Sequence, residues 1–156
     1  MKFLKVDMSS QTIAATDVPE AYAGLGGRGL TSIMINNEVP PTCDPLGPEN
    51  KLIIAPGFLT GTTLVNSSRL SIGAKSPLTG GIKESNVGGT VAADLGHLGI
   101  TAIIVEDKPA DSEALYLLKI DAEGNAALLD GSAYKGLRTY ELVRQLKETH
   151  GAVSYT

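Results

Sequence analysis

The residues in this chain best suited to chemistry are suited to holding an anion. Ser85-Asn86-Val87-Gly88-Gly89 stands just before a stretch with helical periodicity. Two glycines remove side-chain bulk there, so the unpaired N–H groups of a first helical turn can meet a phosphate. The same residues fit a plain helix start, with Ser85 or Asn86 as N-cap and the glycines serving close packing. Arg69 follows Asn66-Ser67-Ser68 and opens an apolar strand. From a strand end a guanidinium can grip a phosphate with two parallel hydrogen bonds, or serve as a surface ion-pair partner.

Other candidates are weaker. Gly24-Leu25-Gly26-Gly27-Arg28-Gly29 satisfies G-x-G-x-x-G, the pattern that brings a backbone turn against a pyrophosphate in dinucleotide folds. Its context is wrong, because Glu20-Ala21-Tyr22-Ala23 reads as helical where a buried first strand is needed. The stretch reads better as a flexible entry to a helix, with Arg28 as a candidate anion contact. His97 sits late in a predicted helix, where the helix dipole accounts for it. Cys43 lies in a proline-rich loop without a neighbouring Cys or His and fits neither a metal site nor a nucleophile. No acid/base pair or metal cluster stands out, and no catalytic residue is assigned.

These groups need a frame. Phe3 to Met8 and Thr12 to Ala15 alternate as two strands around a tight turn. A short helical stretch follows Pro19, and Leu30, Ile33 and Met34 recur at helical spacing until Pro40-Pro41 stops the helix. Strands are predicted over Lys51 to Pro56, Arg69 to Ala74 and Thr101 to Glu106. Long polar loops are predicted over Gly57 to Ser68 and Lys75 to Gly89, where binding groups tend to sit. A helix is predicted over Gly88 to Leu98 with Gly99 ending it, then a hairpin of Ala114 to Asp121 with Ala126 to Leu129. Thr139 to His150 reads as a half-buried helix with Leu142, Val143, Leu146 and Thr149 on one stripe. Gly151 to Tyr155 begins what reads as another strand, so the sequence reads as cut short at its C-terminal end. Hairpins mixed with crossovers make the class α+β, with mixed, largely antiparallel sheets and a few helices.

Bulk properties narrow the partners. The 156 residues, 42% of them hydrophobic, suffice for one domain with a core. A net charge of -4 and 4% aromatic content argue against nucleic acid, which selects for basic stripes and stacking rings. No apolar run approaches the roughly 20 residues needed to cross a bilayer. A single cysteine and no signal-peptide pattern fit the cytoplasm.

A series of segments, in order, resembles the N-terminal domain of the aldehyde:ferredoxin oxidoreductase family. They are Gly26-Gly27-Arg28-Gly29-Leu30, Asn37-Glu38-Val39-Pro40-Pro41, Asp44 to Leu52, Gly57-Phe58-Leu59-Thr60-Gly61-Thr62, Ser68-Arg69, Lys75 to Gly80, Ser85 to Gly89, and Ile104-Val105-Glu106. The resemblance runs over nearly the whole chain, 1–156. It implies a two-repeat cofactor-binding domain, the second repeat incomplete here, that seats tungsten or molybdenum held by the dithiolenes of two pterins. Arg69, Ser85, Asn86, Gly88 and Gly89 would contact the pterin and its phosphate. The backbone carbonyl of Asn86 would take a magnesium ion linking the two pterin phosphates. The whole enzyme would oxidise aldehydes to carboxylic acids and pass electrons to ferredoxin.

The chain also departs from the family pattern. The glycine-rich segment for the second pterin, the four cysteines of a [4Fe-4S] cluster and the acid/base residues would all belong to later domains or a partner subunit. Gly96 to Thr101 differs from the family's usual Lys-x-Ala-Gly-Tyr-Asp. Alone, the chain is expected to be inactive and to associate with itself through uncovered apolar surface and strand edges. A domain that kept the fold without the cofactor, as a binding or scaffold module, is the competing reading.

Overall fold

The computed structural model describes residues 1–151 and 154–156. Its first element, β1 (Lys2–Asp7), alternates Phe3 toward one face with Leu4 and Val6 toward the other. The Asp7 carboxylate accepts the main-chain N–H of Ser9 at 2.8 Å and of Ser10 at 3.1 Å. That turn returns the chain antiparallel as β2 (Thr12–Asp17). A 3-10 turn at Glu20–Tyr22 leads to α1 (Gly27–Glu38), which buries Leu30, Thr31, Met34 and Ile35 on one face. Then come β3 (Lys51–Pro56), β4 (Arg69–Lys75), β5 (Ile82–Gly88), α2 (Thr90–His97) and β6 (Ile100–Glu106). A separate hairpin of β7 (Tyr116–Ile120) and β8 (Ala126–Asp130) and the helix α3 (Thr139–His150) complete the order.

The main sheet has six strands in the order β2-β1-β6-β3-β4-β5, antiparallel except for the β1–β6 pair. Its central strands are buried on both sides. Phe3, Ile53, Ala55, Ala102 and Ile104 meet α1 through Leu30 and Met34. Leu4, Val6, Leu70, Ile100 and Ile103 meet Ala92 and Leu95 of α2, with Leu118, Ile120 and Leu128 of the small hairpin packed against them. The expected α+β class and largely antiparallel pairing are borne out.

Two expectations need correction. The polar run before α2 is a loop only as far as Gly81; from Ile82 to Gly88 it is the edge strand β5, paired residue for residue with β4. Gly88 therefore ends a strand, and α2 starts at Thr90 behind an N-cap at Gly89 with φ 134°. In α3 the buried stripe is narrower than predicted, since Leu146 is buried and Thr149 is exposed. The strand expected from Gly151 to Tyr155 includes 152 and 153, which lie outside the described residues.

Buried polar groups tie the long connections down. The Lys75 ammonium is buried and donates to the carbonyls of Pro41 and Cys43, the latter at 2.8 Å, which fastens the Pro40–Cys43 turn to the end of β4. Asn50 accepts the N–H of Lys75 at 3.0 Å and donates to Pro45 O at 2.7 Å. Cys43 is buried in this packing, as befits a structural thiol.

Lys51 bridges Glu38 and Glu106, each at 2.6 Å, and the Tyr22 hydroxyl donates to Glu38 at 2.5 Å. Burial raises the Glu38 carboxyl, but hydrogen bonds from Lys51 and Tyr22 and the Lys51 charge outweigh it and hold it below its ordinary 4.5. A depressed carboxyl stabilises the fold above its unfolded value, and this is lost as pH falls through the folded one. Burial lowers Lys51, and its two carboxylate partners more than reverse that, raising it above 10.5. Its contribution is complete below 10.5 and lost as pH rises through the folded value. The urea midpoint should therefore drop between neutral pH and about pH 3.5, and Glu38→Gln should make that drop smaller. An unchanged acid limb in Glu38→Gln would show that the network does not set it.

Candidate functional site

The predicted site residues gather at the open edge of the sheet. Arg69 begins β4 opposite Gly88, the last residue of β5, and Ser71 and Gly73 stand opposite Asn86 and Glu84. Alternate residues share a face. On the α1 face these are Arg69, Ser71 and Gly73 with Gly88, Asn86 and Glu84. A Cβ on Gly27 at the start of α1 would stand 3.6 Å from Ser71 Oγ, and one on Gly73 only 2.7 Å from Thr31 Cβ.

On that face the side chains form a connected polar row. Arg69 Nε donates to Asn86 Oδ1 at 2.6 Å, and Asn86 Nδ2 donates to Ser71 Oγ at 3.1 Å. Asn86 Nδ2 also lies 3.5 Å from Glu84 Oε1, while Glu84 Oε2 takes Arg28 Nη2 at 3.1 Å and Nε at 3.2 Å. The Ser71 hydroxyl first, then the Arg28 guanidinium and the Asn86 amide, hold the Glu84 carboxyl below its ordinary 4.5. Among the described residues, the one hydrogen bond made by the Arg69 side chain is that from Nε. Its terminal nitrogens have no hydrogen-bond partner among those residues. A Cβ at Gly88 would stand 3.2 Å from Arg69 Nη1, so the missing side chain at Gly88 is what lets the guanidinium lie across the strand end.

Of the five predicted contacts, Arg69, Asn86 and Gly88 come together. Ser85 does not, because strand parity puts it opposite Ile72 on the α2 face. Gly89 turns the chain out of β5 into α2, whose start has no side-chain cap. A cleft of about 390 Å³ opens there, between Val87, Gly88, Thr90 and Lys147. Arg28, read as a candidate anion contact, is paired with Glu84. Gly24 to Gly26 follow a 3-10 turn and lead into α1, which starts three residues before Leu30 and already includes Gly27, Arg28 and Gly29. Glu84 and Ser71 were not singled out in the sequence. The available signal was their spacing, Ser71 two after Arg69 and Glu84 two before Asn86, which shares a face only once both runs are strands.

The loop of residues 57–68 roofs the same end of the sheet. Gly57 N–H donates to Arg69 O at 3.0 Å, and Thr60 Oγ1 donates to Ser67 O at 2.5 Å. A Cβ at Gly26 would stand 2.3 Å from Phe58 N, and one at Gly96 2.3 Å from Thr60 O. The loop is thus seated on α1, β4 and α2, and it leaves Phe58, Leu59, Leu64 and Val65 exposed. Among the described residues, no group of three or more His, Cys, Asp or Glu is arranged to hold a metal ion, and no helix is long and apolar enough to cross a membrane.

Arg69, Asn86 and Gly88 thus stand together at the open sheet edge of an α+β domain, beside a helix start without a side-chain cap. Its family is known from comparison: the chain belongs to the aldehyde ferredoxin oxidoreductase family, whose N-terminal domain model matches residues 3–156. It is 42% identical over 118 residues to the tungsten-containing aldehyde ferredoxin oxidoreductase of Pyrococcus furiosus, covering 74% of this chain and 20% of that protein. To the enzyme of the same description from Pyrococcus horikoshii it is 39% identical over 152 residues, covering 96% of this chain and 24% of the relative. The active site complex BamBC of benzoyl coenzyme A reductase, solved with 1,5-dienoyl-CoA, superposes with a TM-score of 0.86 at 29% identity, over 95% of this chain and 22% of that one. The chain thus spans a fifth to a quarter of the length of these relatives.

Proposed function

We propose that this domain seats a tungsten or molybdenum bis-pterin for an oxidoreductase that converts aldehydes to carboxylic acids and delivers the electrons to ferredoxin. The observation that carries the reading is the Arg69 guanidinium, held by Asn86 through Nε, with its terminal nitrogens laid across Gly88. A fork of two N–H donors matches the oxygens of a phosphate-bearing ligand, and an alanine at Gly88 would crowd it. Asn86 lies on the outer strand of the sheet, where its backbone carbonyl would be available to a magnesium ion bound with the cofactor. Gly89 and the amides that open α2 would meet the ligand from the neighbouring side. Ser85, facing away from Arg69, belongs to the second face of the strand and would reach the ligand only around the edge.

Bound there, the cofactor supplies the two-electron redox chemistry at its metal. The residues of this domain bind and orient it. The acid/base groups and the [4Fe-4S] cluster that carries electrons onward belong to the remaining domains or a partner subunit, which would cover the exposed side chains of the 57–68 loop. Metal analysis of the whole protein, purified from cells supplied with tungstate and molybdate, is the test. We expect tungsten or molybdenum together with pterin fluorescence after oxidative release. An active preparation holding neither would overturn the reading and favour the scaffold alternative.

A further inference from the structure

We infer that Glu84 is a positioning residue for the anion site, acting on Arg69 through the Asn86 amide; this rests on the reading of Arg69 as the ligand's anchor. Glu84 is an anomaly on its own strand. The other residues of β5 are exposed, whereas the Glu84 side chain is 12% exposed and turned in beside α1. Space for it comes from Gly73, directly opposite on β4, whose bare Cα lets α1 come down on the sheet and leaves no side chain beside Glu84.

The carboxylate offers only acceptors, and that decides how Asn86 must lie. An asparagine amide has one accepting end and one donating end. With Glu84 Oε1 and Ser71 Oγ on one side, the donating Nδ2 turns toward them. The accepting Oδ1 is then left facing Arg69, where it takes Nε at 2.6 Å. An Asn86 turned the other way would aim N–H groups at the guanidinium and leave the Glu84 carboxylate, which can only accept, facing its oxygen. Arg28, pairing with Glu84 Oε2 from α1, fixes the carboxylate at the far end of the row. Occupying Nε in this way directs the remaining Arg69 donors outward as a pair, over Gly88.

Charge alone predicts the opposite effect, which makes the inference separable from a plain field effect. Glu84 is an anion close to a site for anions, so removing it should tighten ligand binding if charge is all that matters. If Glu84 positions Arg69, removing it should weaken binding.

The test uses the whole protein made in a host unable to synthesise pterin, with inorganic pyrophosphate as the calorimetric probe. Arg69→Ala should weaken pyrophosphate at least tenfold, about the worth of a hydrogen-bonded charge pair. Glu84→Met should weaken it about fivefold, within the range of coupled neighbouring residues, and Glu84→Asp, with charge kept and reach shortened, about threefold. Added to Arg69→Ala, neither change should cost a further factor of two, because an effect exerted through Arg69 has nothing left to act on. Unchanged or tighter binding in Glu84→Met and Glu84→Asp, with Arg69→Ala still weak, would overturn the positioning role alone. Full binding in Arg69→Ala would overturn the site reading itself. Should Glu84→Met fail to fold, Glu84→Asp decides the matter, since it keeps the ion-pairing group.

Discussion

Arg69→Ala in the whole protein is expected to lower bound pterin and metal at least tenfold while the thermal midpoint stays within a few degrees of the parent. The two halves of this result have separate causes. Arg69 is exposed at a strand end, and the one side-chain hydrogen bond it makes among the described residues, to Asn86, lies at the surface. Truncation therefore opens no cavity and strands no buried partner, the conditions under which substitutions cost little stability. On the proposed reading of the site, the ligand loses two charge-assisted hydrogen bonds worth about 1.5–3 kcal/mol each. Arg69→Lys should recover only part of the loss, because an ammonium is a point charge and cannot reproduce the fork or keep Nε on Asn86. Metal by mass spectrometry and pterin by fluorescence, both per mole of folded protein, give the answer. Full occupancy in Arg69→Ala would remove this arginine from the site.

Gly26→Ala should act through the frame, with a loss of about 3 kcal/mol in unfolding free energy, at the upper end for overpacking. The added methyl would stand 2.3 Å from Phe58 N and 2.7 Å from its Cα, closer than a non-bonded Cβ comes to any atom. Both are backbone atoms, so no rotamer can give way. Either α1 or the loop of residues 57–68 must move, and both adjoin Arg69. The φ of -161° at Gly26 is ordinary extended backbone, so the strain is steric contact alone. Gly29→Ala is the control, having nothing within 4 Å of its new Cβ, and should leave stability within about 1 kcal/mol. Urea denaturation of both variants measures the difference; equal stabilities would mean that the loop yields freely to α1.

What could be read in the sequence followed burial. β1, β3, β6 and the buried face of α1 alternate or repeat apolar residues because each has a side in one of the two cores, and those elements were legible. Ile82-Lys83-Glu84-Ser85-Asn86-Val87-Gly88 carries no such alternation. It is an edge strand exposed at every residue but Glu84, held by its pairing with β4, and no local pattern reports a pairing partner. That omission shaped the reading of the site. Arg69 and the Asn86 segment were recognisable as anion-holding types, but with β5 taken for a loop, Ser85 and Asn86 counted as equivalent neighbours. As strand residues they face opposite ways. Glu84, read as one more charge in a polar run, becomes meaningful only from the cross-strand register that sets it beside Asn86, Ser71 and Arg28.

The strand order has a bearing on how the molecule comes into being. β1 and β2 form one local block, and β3, β4 and β5 another; β6, the last of the six in sequence, lies between β1 and β3 and pairs with both. Until β6 has been made, the two blocks share no hydrogen-bonded neighbour, and the apolar faces of Phe3, Leu4 and Ile53 wait for a partner. Insertion of β6 joins them in a single event with a long loop to close. The edge that carries Arg69 and Asn86, on β4 and β5, belongs to the block that can pair early. Its support on the rest of the sheet arrives late.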